Sequence, residues 1–195
     1  DAGLSLAGMN QSAWETKRQR AEKKLLKNIQ HDEMVEISDG KKAFTTPQKQ
    51  TDFASIYAKD PAATIVSGAT DIGLWVTKQH RQLSRMLWTG RVDGFDAVED
   101  TKTDLILRPA VTHQVAMEIL GKRWPAAQTL LRRFGSVQVR SSGTVCGNIA
   151  NGSPIGDMPP LLIALNSQIE LQQGLKKHVM KLEDFFISYD SNFLI

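Results

Sequence analysis

Ala63-Thr64-Ile65-Val66-Ser67 runs directly into Gly68-Ala69-Thr70-Asp71-Ile72-Gly73, and Leu74-Trp75-Val76-Thr77-Lys78-Gln79 follows. The compact first segment predicts a buried strand, the small residues a tight turn, and the third segment a helix. Upstream, Met34-Val35-Glu36-Ile37-Ser38 alternates apolar and polar residues and reads as a strand. Asp39-Gly40 signals a turn, and Ala43-Phe44-Thr45 is a second strand that Pro47 ends. Thr51-Asp52 predicts the cap of a helix whose inner face is Phe53, Ile56 and Tyr57, stopped by Asp60-Pro61. Downstream, Arg85-Met86-Leu87-Trp88 reads as the next strand. Strand, helix, strand, small turn and helix in that order predict a βαβ unit with a parallel sheet.

From about residue 93 the texture changes. Asp104-Leu105-Ile106-Leu107-Arg108 reads as a strand, and Thr112 caps a helix through Ala116, Ile119 and Leu120. A second helix is predicted from Ala126 to Phe134, with Gly135 just past its end. A long small-residue stretch, Ser141 to Asp157, reads as a loop. Pro159 opens a short apolar helix ending near Asn166, and Gln168 to Gln172 and His178 to Lys181 alternate like antiparallel strands. The fold class is therefore α+β, a small βαβ lobe followed by a larger lobe with antiparallel sheet and helices. Residues 1–40 are expected as a linker helix, 41–92 as the small lobe, and 93–195 as the larger one. Within the first segment Lys17, Arg18, Arg20, Lys23, Lys24 and Lys27 crowd together, with Leu25, Leu26 and Ile29 as the few apolar positions. A solvated helix is the preferred reading of such a charge run over a polyanion contact.

The 195 residues suffice for one domain or two small lobes, and 41% hydrophobic with 23% charged residues is the balance of an ordinary globular chain. A net charge of +3 is too weak to argue for nucleic acid or an anionic membrane as partner. No apolar run reaches the length of a membrane span. The single cysteine, Cys146, excludes an internal disulfide, fits a reducing, cytoplasmic compartment, and cannot supply the thiolates of an iron–sulfur cluster. The N-terminus has neither a signal-peptide pattern nor an initiator Met, so the chain is expected to begin inside a longer product.

A strand, small residues and then a helix N-terminus is an arrangement that binds phosphate, because first-turn amides lack partners and the helix dipole favours an anion. Gly68 and Ala69 are expected to let a ligand approach the backbone. Asp71 would repel a pyrophosphate and is expected to cap the helix and point away. A P-loop would need Lys and a hydroxyl residue where Leu74-Trp75 stand, and a dinucleotide fingerprint would need a third glycine. A backbone-only pyrophosphate cradle remains, alongside a plain strand-to-helix turn.

The second loop, from Phe134 to Asp157, is more informative. Small residues from Ser141 to Gly156 waste core volume unless something else fills it. Thr144 and Asn148 offer side-chain hydrogen bonds, Gly143 and Gly147 are expected to expose amides, Asp157 can accept from a hydroxyl or N–H, and Phe134 can stack on an aromatic ring. Long loops inside compact domains are functional or disordered more often than idle.

Gly143-Thr144-Val145-Cys146-Gly147-Asn148-Ile149-Ala150-Asn151-Gly152-Ser153-Pro154-Ile155-Gly156-Asp157 resembles the signature of the FAD-binding domain in the xanthine dehydrogenase family, a group that includes the medium subunits of carbon monoxide dehydrogenases. Ala69 to Gln79 resembles the small subunit of bacterial xanthine dehydrogenases in particular. The resemblance covers roughly residues 41–186, and Asp1-Ala2-Gly3 resembles the end of a helical iron–sulfur domain. It implies FAD with its pyrophosphate on Ile65, Val66, Ser67, Gly68, Ala69, Thr70, Asp71 and Ile72. It further implies adenine against Phe134, FAD contacts along Thr144, Val145, Cys146, Gly147 and Asn148, and Asp157 nearer the ribityl–flavin end. It implies an oxidoreductase of purine catabolism in which electrons pass from a molybdenum cofactor through two [2Fe–2S] clusters, on other domains or subunits, to FAD and then NAD⁺. The implied partner is a molybdenum-binding large subunit. The alternatives are a non-catalytic fragment acting only in subunit assembly, and a flavoprotein subunit of a carbon monoxide dehydrogenase-type hydroxylase.

Three departures from the family pattern bear on these expectations. Cys146 stands where the family usually has Gly, which raises the question of a positive φ there. Iron–sulfur ligands are absent, and Phe193-Leu194-Ile195 ends the chain before the family's C-terminal part, so either a fragment or a truncated gene is expected. No catalytic acid or base and no metal site is expected: His31, His80, His113 and His178 are too scattered. Cys146 is expected to be buried and inert unless Arg140 lowers its pKa. Trp75 and Trp88 read as core, and Arg132 and Arg133 as a solvated helix edge.

Overall fold

The computed structural model describes residues 13–29, 33–153, 156–188 and 191–192. By its internal contacts the chain divides into Asp1–Glu33 and Met34–Ile195. In the first unit, helix α1 (Ala13–Ile29) exposes all six of its cations. Trp14, Leu25 and Leu26 are exposed as well. The Asp1-Ala2-Gly3 resemblance lies outside the described residues.

In the second unit the expected βαβ pattern forms. β1 (Val35–Ser38) and β2 (Ala43–Thr46) make an antiparallel hairpin around the Asp39-Gly40 turn. Gly40 has φ +84, a conformation glycine adopts without strain. α2 (Gln50–Lys59), β3 (Thr64–Val66), α3 (Ile72–Thr77) and β4 (Arg85–Trp88) follow. The sheet order is β1-β2-β4-β3, and β4 runs parallel to both β2 and β3. Parallel neighbours need crossover connections, and α2 and α3 supply them. The last strand therefore enters between the two earlier ones, with Leu87 at the sheet centre only 1% exposed. The C-terminal ends of β2, β3 and β4 share one edge, where open α/β sheets bind ligands. The turn 67–71 leaves from that edge.

Thr51-Asp52 does not cap α2. The helix starts one residue earlier, with the Lys49 carbonyl accepting from Phe53 N–H at 3.0 Å and no side-chain cap. Thr51 and Asp52 thus occupy its first turn.

β5 (Val98–Asp100) and β6 (Leu105–Leu107) form a hairpin whose first strand, Val-Glu-Asp, is too short and polar to be read from pattern. α4 (His113–Arg123) is capped by Thr112, whose hydroxyl accepts from Val115 N–H at 3.3 Å. α5 (Pro125–Leu131) ends before Phe134, because Gly135 takes φ +54 and the chain turns away. The stretch expected as one loop instead holds two short helices, α6 (Val137–Ser142) and α7 (Val145–Asn151). Ser136 and Thr144 cap them, each hydroxyl accepting at 3.2 Å from the amide three residues on. Two N-caps eight residues apart outweigh the low helix propensity of the glycines between and after them.

α8 (Met158–Ala164) has Pro159 in its first turn, the position where a missing N–H costs nothing. β7 (Gln168–Gln173) and β8 (Lys176–Lys181) form the expected antiparallel hairpin. α9 (Leu182–Phe185), β9 (Phe186–Ser188) and β10 (Ser191–Asn192) complete the described chain. The core is drawn from nearly every helix after residue 110: Val111, Leu120, Leu131, Val145, Met158 and Phe185 are each at most 2% exposed. At roughly 1.5–3 kcal/mol per buried large apolar side chain, this cluster is what holds α4 to α9 together. Among the described residues no helix is long and apolar enough to cross a membrane.

Candidate functional site

The turn after β3 is built to leave amides unused. Ala69 has φ +57, rare for a residue with a side chain. Among the described residues nothing accepts a hydrogen bond from the N–H of Gly68, Ala69, Thr70, Asp71 or Ile72; the first amide to find a partner is Gly73, which donates to Ala69 O at 2.8 Å. Five successive free donors are what a bound anion would satisfy. The turn is anchored from beneath by Ser67, whose carbonyl accepts from Trp88 Nε1 at 3.2 Å and whose hydroxyl accepts from Thr89 at 2.9 Å. Val66 points into the core, and Ile65 on the edge strand is half exposed.

Two expectations about this turn need correction. Asp71 does not cap α3: its backbone is helical (φ −88, ψ −46), whereas a capping side chain needs an extended backbone, and it makes no side-chain cap bond. The missing side chain of Gly68 makes room for the protein's own backbone rather than for a ligand. A Cβ there would collide with the carbonyl oxygen of Ser142 and lie 2.8 Å from Gly143 Cα. A Cβ on Gly143 would in turn stand 3.2 Å from Thr70 Oγ1 and 3.1 Å from His113 Cδ2. The glycines thus let the two small-residue stretches, far apart in sequence, touch backbone to backbone. That contact assembles the site.

Within the second stretch most polar groups are committed internally. Gly143 N–H donates to Val139 O at 2.7 Å and Gly147 N–H to the Thr144 hydroxyl at 3.2 Å, so neither amide is exposed for a ligand as expected. Val145 is core, with its amide on Val111 O at 3.0 Å. Cys146 lies in α7 and is not among the positive-φ residues, so a side chain fits where the family has Gly. Its thiol is pushed up to about 11 by burial and is protonated at neutral pH. The Cys146 N–H is free of any acceptor among the described residues. Asn148 Oδ1 is buried without a partner beside Gly156. Asp157 is exposed, and its carboxylate makes no cap bond to α8. Phe134 is half-buried and packs one side of its ring on His113, centroids 4.5 Å apart at 58°.

Sequence reasoning passed over two residues here. His113 is 2% exposed, its Nδ1 has no partner, and burial lowers its pKa to about 4. Arg140 is 8% exposed. It donates to backbone carbonyls rather than to any acid, and it does not bring the Cys146 thiol down. Of the tryptophans, Trp88 is half-buried on Phe44, and Trp75 is half-buried under the Arg81 guanidinium. Arg132 and Arg133 are exposed as expected, but in the turn past the end of α5 rather than on a helix edge.

A cavity of about 180 Å³ lies after β4, lined by Thr89, Arg91, Asp93 and Asp96 among others. It is below the ~300–1,000 Å³ of ordinary ligand pockets. No group of His, Cys, Asp and Glu that could hold a metal ion occurs among the described residues.

Residues 35–194 match the family described as the FAD binding domain in molybdopterin dehydrogenase. The chain belongs to this family. It is 24% identical over 146 residues to the nicotine 6-hydroxylase medium subunit of Paenarthrobacter nicotinovorans, covering 74% of this chain and 52% of that protein. It is 28% identical over 156 residues to the xanthine dehydrogenase/oxidase of Gallus gallus, covering 73% of this chain and 11% of that protein. The fold is shared with quinoline 2-oxidoreductase from Pseudomonas putida 86 at a TM-score of 0.71 and 19% identity, over 77% of this chain and 53% of that one. It is shared with CO dehydrogenase from Oligotropha carboxidovorans at 0.73 and 18%, over 82% and 57%. The chain thus spans about half of the medium subunit and a small part of the xanthine enzyme. This FAD-binding domain of the molybdenum hydroxylase family carries a row of amides and a buried acceptor, Asn148 Oδ1, that have no partner among the described residues.

Proposed function

We propose that the chain is the FAD-binding, electron-relaying part of a cytoplasmic xanthine dehydrogenase. Its partners are iron–sulfur domains that deliver electrons, a molybdenum-binding large subunit, and NAD⁺ as acceptor. One observation carries the reading: the five free amides of Gly68 to Ile72 packed directly against Gly143, in a chain of this family. FAD supplies the redox chemistry, and the protein supplies position and electrostatics. The amides of residues 68–72 hold the diphosphate, with α3, six residues long, adding little dipole of its own. Phe134 takes the adenine on the side away from His113. Asn148 Oδ1 and the free Cys146 N–H contact the ligand between its ends, and Asp157 lies toward the ribityl–flavin portion. Of the expected contact residues, Ser67, Thr144 and Val145 act by holding the backbone in place. In this reading residues 41–92 present the diphosphate turn and 93–195 the rest of the cleft.

The test has two steps. Purified chain titrated with FAD should show a saturable shift in the flavin spectrum, and no shift would remove the reading. Combined with its molybdenum-binding large subunit and iron–sulfur domain, it should reduce NAD⁺ with xanthine. Turnover of a different heterocycle, or electron delivery only to another acceptor, would instead support a second reading. In that reading the chain serves a separate medium subunit of another hydroxylase, which the 52% coverage of the nicotine 6-hydroxylase medium subunit favours.

A further inference from the structure

We propose that Arg140 is a positioning residue for the adenine end of this site, acting by holding Phe134; the proposal rests on the FAD reading above. α5 ends at Leu131, and the carbonyls that leave its end have no helical partner. Arg140, in the next helix, collects them. Its Nη1 donates to the carbonyls of Phe134 and Gly135 at 2.9 Å each and to that of Arg132 at 3.4 Å. The left-handed Gly135 makes the turn that lets one guanidinium reach several of these acceptors.

The arrangement is costly in two ways. Arg140 as a whole is 8% exposed, and no carboxylate pairs with its guanidinium among the described residues. Its Nε is buried with no acceptor among the described residues. Burying a cation whose partners are only carbonyls spends free energy that an apolar residue would not. Capping alone does not require it, because Arg132 and Gly135 are exposed and water could reach their carbonyls. What water could not do is fix the backbone of Phe134. The ring is then clamped from two sides: its main chain by Arg140 and one face by His113 at 4.5 Å. A half-buried ring so clamped is a preorganised platform, and all three contacts come from the one nitrogen Nη1, whose place is set by the rigid guanidinium in a way a flexible ammonium would not reproduce.

The test is a double-mutant cycle in FAD affinity on the full 195-residue chain, read by flavin fluorescence. Arg140→Met removes the charge and all three contacts at once, so the informative variant is Arg140→Lys, which keeps the charge and most of the volume. Arg140→Lys should weaken FAD about tenfold, the scale of one charged hydrogen bond. Phe134→Leu should weaken it similarly, and the double variant should be no worse than Phe134→Leu alone. Losses that add, or an Arg140→Lys protein with unchanged affinity, overturn the proposal. So does an Arg140→Lys chain that circular dichroism shows to be unfolded, since that makes Arg140 a folding residue. If the unmodified chain binds no FAD, the flavin reading fails first, and the opening titration shows it separately.

Discussion

At the scale of single residues, the unpaired groups are the informative ones. Asn148 Oδ1 is buried with no partner among the described residues, so Asn148→Ala removes a liability from the free protein and an acceptor from the proposed complex. The expected outcome is FAD binding weaker by about 1–3 kcal/mol with an unfolding midpoint equal to or above that of the parent. Titration and thermal melting together check it, and a lowered midpoint with unchanged affinity would make Asn148 structural. Ala69 stores strain at φ +57, so Ala69→Gly should raise stability by up to ~1 kcal/mol while keeping the amides in place. His113 sets a pH dependence. Its folded pKa of about 4 lies below the ordinary 6.5 because burial disfavours the imidazolium. Between those values the unfolded chain binds the extra proton, so stability falls as pH drops from about 6.5 to 4 and levels off below, by roughly 3 kcal/mol in all. Denaturant melts of His113→Phe should lose that part of the acid sensitivity. An unchanged acid limb would assign it to other groups.

At the scale of elements, the strands and long helices were legible because their signals are local. The alternation in Val35–Ser38, the turn at Asp39-Gly40 and the Thr112 cap each lie within a few residues of what they specify. The stretch from Ser136 to Asn151 was misread as loop because glycine content masked two Ser/Thr caps placed to start short helices. The role of Gly68 was illegible for a different reason: its constraint is Ser142, more than seventy residues away, and no local pattern announces a backbone-to-backbone contact. That contact gives the element-scale prediction. Gly68→Ala should separate the two stretches and cost about 1–3 kcal/mol of stability as well as FAD affinity, as overpacking does. A Gly68→Ala protein that keeps its unfolding midpoint and loses only FAD would mean that the glycine faces ligand after all. Thr144→Val tests the cap alone and should cost about 1 kcal/mol through α7.

At the scale of the whole molecule, fold class and cofactor were readable because the two small-residue stretches carry them, whereas the order of the sheet was not. Nothing in Arg85-Met86-Leu87-Trp88 says that it inserts between β2 and β3; only the parallel pairing on both sides does. Likewise Arg140 reads from sequence as one cation among many, since its burial depends on where α5 turns. What the molecule does alone follows from what its residues can hold. The chain offers free amides and an aromatic platform, but a single cysteine, no metal-binding cluster among the described residues, and no acid–base pair assigned to the site. Hydroxylating a purine needs a centre that activates water and accepts two electrons, and electrons crossing to FAD need clusters that one thiol cannot ligate. The FAD-loaded chain by itself should therefore leave xanthine and hypoxanthine untouched in the presence of NAD⁺. The parallel assay, NADH with an artificial electron acceptor, asks only for flavin and should show at most slow turnover that rises with FAD occupancy. Urate formation by the unaccompanied chain would end the view of it as a relay. NADH oxidation that does not track bound FAD would place the electron path somewhere other than the turn at residues 68–72.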